Sequence, residues 1–264
     1  MVWLFSVLAL IVFAGCFVLG TWLGTRPRHI ALVSIVICLT FLLARVVLRY
    51  FPSTVYALFH SDVYAAIHTW WVFPFAFLVL GIGTRQMSTR NARFGIALLS
   101  GLLLLFTGTR LYASAAFDPS RLSGVPLPDG VCRQTSDYSC GAAAASTLLA
   151  QLGIQSDERE MAVRCGTNAL AGTDEFAVCR GLRRKLAGTG WAVDLIRSDW
   201  ESLQRQRLPV MATVKLSFLI DHWVVVLEIS DDHVVVGDPL QGKVRRSKQE
   251  FLANWRKVLV TIER

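Results

Sequence analysis

The chain has 264 residues, 53% of them hydrophobic, and a formal net charge of +8. That charge is uneven: residues 1–123 hold nine Lys/Arg against two acids, and residues 124–264 hold 18 against 17. The excess arginines flank apolar runs, so the charge reads as membrane topology and excludes a nucleic-acid partner.

Four apolar stretches open the chain, at 2–24, 29–49, 63–83 and 94–113. Each reaches the roughly 20 residues that a membrane-spanning helix needs. The third contains His68 and Pro74 and follows a semi-polar run with Tyr56, His60 and Asp62. Pro74 is tolerable as a kink inside a bundle, and His68, close to Trp70 and Trp71, reads as interfacial or interhelical. Arg45 and Arg110 sit near stretch ends, where long side chains reach the headgroups. Gly20 and Gly24 have the spacing of a helix-packing pair. The N-terminus lacks the basic start of a cleaved signal peptide. Phe13-Ala-Gly-Cys16 matches a lipoprotein box only by chance.

Loop charges set the topology. Arg26, Arg28, Arg85, Arg90 and Arg93 fall in loops one and three, which the positive-inside rule places in the cytoplasm. With four spans in a bacterial inner membrane, both termini and the polar half lie on the periplasmic or extracellular side. If stretch three does not span, the polar half moves to the cytoplasm.

Residues 118–130 are rich in Pro, Gly and Ser and mark a boundary. The expected organisation is a transmembrane helical region at 1–115, a linker at 116–130 and one domain at 131–264. Helices are expected at 140–152, at 157–164 after Ser156, and at 174–186 after Thr173. A strand at 191–196 precedes the capping box Ser198-Asp-Trp-Glu201. Strands at 209–216, 222–229 and 233–237 follow. A second box, Ser247-Lys-Gln-Glu250, opens a helix to about Trp255, and a strand at 258–262 ends the domain. Helices grouped ahead of antiparallel strands give an α+β class.

Chemistry concentrates in Gln134-Thr-Ser-Asp-Tyr-Ser-Cys140-Gly141. A cysteine at a helix start meets unpaired N–H groups and the positive end of the dipole, which favour thiolate. Gln134 can share with the Cys140 N–H the holding of an oxyanion. For Cys140 alone, a small buried cysteine ahead of an Ala-rich helix is the plainer reading. A thiolate needs a proton partner. His29, His60 and His68 belong to the apolar half, and His233 sits in an Asp-Asp turn as a solvated residue. His222 heads a buried strand and is the candidate base. Asp238 ends the neighbouring strand, where it can accept the second imidazole N–H. Taken alone, Asp238-Pro239 is an ordinary turn.

Rival chemistries are weak. Cys132, Cys140, Cys165, Cys179 and His222 contain no Cys-x-x-Cys pair, so no metal is expected. Gly237–Lys243 approaches a phosphate loop, but Val244 stands where Ser or Thr would hold magnesium and Pro239 removes a backbone donor. No cofactor is expected. A Cys165–Cys179 disulfide fits a domain outside the cytoplasm, and buried thiols are the plainer reading.

Residues 134–141, His222-Trp-Val-Val-Val and Val-Gly-Asp238-Pro-Leu-Gln-Gly together resemble the bacteriocin-processing, double-glycine leader peptidases. The resemblance runs from about Val131 to the C-terminus. It implies a papain-like fold and thiol peptidase activity, with Gln134 in the oxyanion hole, Cys140 as nucleophile, His222 as base and Asp238 as orienter. It also implies a peptide or small-protein precursor cut after Gly-Gly or Gly-Ala. Most members of that family are fused to the ABC transporter they serve. Here apolar stretches precede the resembling segment and no nucleotide-binding segment follows, so the partners expected are a precursor substrate, the lipid bilayer and a separate exporter. The second functional class is a membrane-anchored peptide-binding accessory module with little proteolysis.

Overall fold

The computed structural model describes residues 2–48, 51, 54–56, 70, 72–217 and 220–264. The chain forms two units, Met1–Phe51 with Ala66–Ala116, and Pro52–Ala65 with Phe117–Arg264.

The first unit is helical: α1 (Val2–Gly24), α2 (Arg28–Leu48), α3 (Val72–Gln86) and α4 (Arg90–Ala115). Helices α1, α2 and α4 are long and apolar enough to cross a membrane; α3 has 15 described residues. Their large apolar side chains are exposed, Ile11, Val33, Leu43 and Leu105 among them, a pattern suited to lipid contact. Pro74 falls in the first turn of α3, where a missing N–H costs little, so it makes no mid-helix kink. The Gly20 and Gly24 pair packs on α3: a Cβ at Gly20 would collide with the Leu78 carbonyl, and one at Gly24 would meet the Ile82 carbonyl. Gly81 answers from α3 against the Phe17 carbonyl, so the two backbones meet where side chains are missing. Phe13 stacks on Phe77 with ring centroids 5.6 Å apart. Four arginines read as loop lie at helix ends: Arg28 opens α2, Arg85 is in the last turn of α3, and Arg90 and Arg93 belong to the first turn of α4, which Thr89 caps by accepting from the Ala92 N–H. The expectations placed on Arg49, His60, Asp62 and His68 fall outside the described residues.

The second unit is α+β. Helices α5 (Cys140–Gln151), α6 (Glu158–Cys165) and α7 (Glu175–Leu186) come first. Then follow β1 (Ala192–Arg197), α8 (Trp200–Gln204), β2 (Val210–Ser217), β3 (Ile220–Ile229), β4 (His233–Asp238), β5 (Gly242–Ser247), α9 (Lys248–Asn254) and β6 (Trp255–Glu263). The strands make one antiparallel sheet in the order β1-β6-β2-β3-β4-β5. Both faces are covered. On β3, Trp223 and Val225 enter the core shared with α5–α7, while Val224 and Val226 enter the core holding Trp200 and Phe251. That two-sided burial explains why β3 reads as a continuous apolar run. Helix α5 is buried along Gly141–Leu149, and its alanines let it lie close against the sheet.

Three N-caps lie one residue later than the sequence suggested. Asp157, Asp174 and Asp199 accept from the N–H three residues on, where Ser156, Thr173 and Ser198 were expected. Ser247 caps α9 as expected. A carboxylate beats a neighbouring hydroxyl because it also meets the helix dipole. The strand β5 was not expected from the sequence. The segment Gly237–Lys243 is the end of β4, a turn at 239–241 and the start of β5 at Gly242 (φ 86°), not a strand-to-helix phosphate loop.

Residues 54–56 are helical and join the core of the second unit. Val55 and Tyr56 are buried there, and the Tyr56 hydroxyl donates to the Val193 carbonyl at 2.9 Å. The Tyr56 ring packs on Phe176 and lies beneath Arg183.

Candidate active site

Cys140 is the first residue of α5. The residue before it, Ser139, makes no side-chain bond to the helix; its hydroxyl donates to the Ser136 carbonyl at 2.8 Å instead. The first N–H groups of α5 are thus left to whatever occupies the site. Cys140 is partly exposed, whereas Cys132, Cys165 and Cys179 are buried. All six cysteines are free, so the Cys165–Cys179 bridge is absent.

Two features fix the approach to Cys140. The Ser136 carbonyl accepts from Gln134 Nε2 (2.8 Å), the Ser139 N–H (3.2 Å) and the Ser139 hydroxyl. This shared acceptor ties the Gln134 amide to the turn that delivers the cysteine. An amide nitrogen has two hydrogens, so one remains for a substrate oxygen. The fully buried Glu158 clamps the same loop, accepting from the Gly124 N–H, the Thr135 N–H and the Thr135 hydroxyl. The Gln134 N–H reaches the Pro239 carbonyl at 3.0 Å, which joins this loop to the end of β4.

His222 is buried on β3, and its Nε2 lies 2.8 Å from Asp238 Oδ1. Register explains the meeting. Val225 pairs with Gly237, so Asp238 lies one step on, opposite Val224 and diagonal to His222. Cys140 also interacts with the ring, favouring its protonated form. Because Nε2 is engaged by the carboxylate, Nδ1 is the nitrogen left for the sulfur. Burial lowers the His222 pKa, but the bonds to Asp238 and Cys140 and the charges behind them outweigh it, lifting the group to about 9. Burial likewise opposes the Asp238 carboxylate, yet the bonds from His222 and the Leu240 N–H and the nearby positive charge hold it below its usual range. In contrast, burial pushes the Cys132 and Cys165 thiols up to about 12 and Cys179 higher still.

The structure brings all four sequence-predicted residues to one end of α5. His233 stays apart, bonded to Asp232 at the start of β4. Among the described residues no group of three His, Cys, Asp or Glu could hold a metal. A cavity of about 820 Å³ bordered by Tyr56, Arg183, Trp191 and β1 contains none of the four. Two supporting residues escaped the sequence reading: Glu158, and Arg246, whose Nη2 lies 2.5 Å from Asp238 Oδ2.

The Peptidase C39 family model matches residues 130–264. The chain belongs to the Peptidase C39 family. It is a cysteine peptidase with a papain-like α+β domain, preceded by apolar helices long enough to span a membrane. An uncharacterized protein of Methanothermobacter marburgensis is 30% identical over 135 residues, 51% of this chain and 88% of that protein. The probable functional amyloid protease FapD of Pseudomonas fluorescens is 30% identical over 133 residues, 49% of this chain and 58% of its own length. This C39 chain therefore spans little more than half of FapD. Among solved structures, a double glycine motif protease from an AMS/PCAT transporter, in complex with the leader peptide, aligns with a TM-score of 0.44 at 21% identity. It covers 50% of this chain and 89% of that one.

Proposed function

We propose that this chain is a membrane-tethered peptidase that cuts peptide or small-protein precursors behind a Gly-Gly type leader, with Cys140, His222, Asp238 and Gln134 as its working residues. The observation that carries this reading is the buried His222 ring, held by Asp238 at 2.8 Å and raised in proton affinity by Cys140. His222 Nδ1 takes the thiol proton and the sulfur attacks the scissile carbonyl carbon. The oxygen that becomes negative meets the Cys140 N–H and the Gln134 amide. The imidazolium then protonates the leaving amine, giving a thioester. Water, deprotonated by the same ring, attacks the thioester, releases the acid and restores the thiol. Asp238 holds the ring's orientation throughout. The leader preference rests on the motif resemblance, and FapD, a probable functional amyloid protease, supports a small-protein substrate.

We also propose four crossings with the peptidase on the outer face of a bacterial inner membrane. Val55 and Tyr56, which follow α2, are built into the peptidase core. The segments on either side of α3 and α4 thus share one side of the bilayer, and an even number of crossings must separate them. With α4 as one, α3 supplies the other. The arginines at 26, 28, 85, 90 and 93 then take the cytoplasmic side.

The test is cleavage of synthetic Gly-Gly precursors by the full-length protein in detergent, beside Cys140→Ala. Cleavage that depends on Cys140 is expected. Equal cleavage by both proteins would sink the mechanism, and binding of the precursor without turnover would favour an accessory module. A C-terminal alkaline phosphatase fusion should be active and a green fluorescent fusion dark; the reverse would move the peptidase to the cytoplasm.

A further inference from the structure

The outer oxygen of Asp238 has its own partner. Asp238 is 2% exposed, and its Oδ1 accepts from His222 Nε2 (2.8 Å) and the Leu240 N–H (2.9 Å). Oδ2 accepts from Arg246 Nη2 at 2.5 Å. The β4–β5 register makes this contact deliberate. Asp238 pairs with Gly242, Val236 with Val244 and Val234 with Arg246, so alternate residues 242, 244 and 246 share the face of 238. From two such steps away, a long basic side chain is needed to reach the carboxylate. The arginine side chain is 16% exposed, which sets this pair apart from solvent-screened surface bridges.

We infer that Arg246 is a positioning residue of this peptidase: by fixing the outer oxygen of Asp238 it turns the inner one onto the imidazole and keeps a buried carboxylate ionised. This rests on Cys140, His222 and Asp238 being the reacting groups. Arg246 touches neither the sulfur nor the substrate. A carboxylate bonded through one oxygen can rotate away or take up a proton when buried, and either change removes the support for an imidazolium. The charged and titratable groups facing Asp238 are His222 from β3 and Arg246 from β5, with Cys140 of α5 beyond the ring. Arg133, the other nearby cation, is bonded to the Leu240 carbonyl.

Iodoacetamide alkylation reads the inference without a substrate. Full-length protein in detergent is alkylated across pH 4–9 as wild type, Arg246→Met and Arg246→Lys, with Cys140→Ala as background. The Cys140-dependent rate falls in acid as the thiolate is protonated. In Arg246→Met that acid limb should move up by about one pH unit, and Arg246→Lys should recover most of the shift. In an Asp238→Asn background, Arg246→Met should add nothing. If Arg246→Met melts early, Arg246→Gln is read in its place. An unmoved limb in a folded variant, equal shifts for Lys and Met, or an additive effect on Asp238→Asn would overturn the role. A wild-type rate no faster than Cys140→Ala would instead overturn the reading of the site itself.

Discussion

The start of α5 and the contact between α6 and α7 both hold cysteine, in opposite surroundings. Cys140 stands at a helix N-terminus, partly open, with an imidazole beside it. Cys165 and Cys179 are fully buried, and their environment resists loss of the proton. The difference is one of placement: a helix end beside a histidine suits the nucleophile we propose, and burial among apolar side chains suits a structural thiol.

The largest test of that contrast is exchange of each sulfur. Cys140→Ala should lower peptidase activity by about 10⁴-fold or more, while Cys179→Ala should keep activity near wild type; a large loss from Cys179→Ala would break the contrast. Iodoacetamide should label native Cys140 at least about 10²-fold faster than Cys132, Cys165 or Cys179, as peptide mapping would report, and unfolding should remove the difference. Gly181→Ala sharpens the structural side. Its Cβ would collide with Cys165 Sγ, so a loss of about 1–3 kcal/mol is expected in urea unfolding, with the active-site titration unchanged.

The pH dependence follows from His222. Its folded pKa of about 9 lies above the ordinary 6.5. The stability it contributes is fully present below about pH 6.5 and fades as pH rises through about 9. Wild type should therefore lose thermal stability over that interval by more than His222→Gln does; parallel curves would contradict the His222 environment. The smallest effect is Tyr56→Phe, which removes the bond to the Val193 carbonyl and should cost about 1 kcal/mol.

The cysteine, histidine and aspartate were legible because each carries its own local signature: a loop-to-helix switch before alanines, the head of an apolar run, and a strand ending in Asp-Pro. Cap positions slipped by one residue wherever an aspartate followed a Ser or Thr, as at Asp157, Asp174 and Asp199. The strand β5 was invisible for a physical reason. It is an edge strand in which Val244 is the one large apolar residue, and Lys243 and Arg245 guard the solvent side. Without β5 there was no register, and without register Arg246 was one arginine of many. Glu158 was hidden because a carboxylate satisfied by backbone N–H groups from a distant loop leaves no local pattern.

The short helical turn at 54–56 has a consequence for how this protein comes into being. Two core residues of the peptidase are synthesised some sixty positions ahead of Phe117, with α3 and α4 between them. The enzyme cannot complete its interior until those two helices have been made. Severed ahead of Phe117, it would be left with an unfilled slot beside Phe176 and Val193.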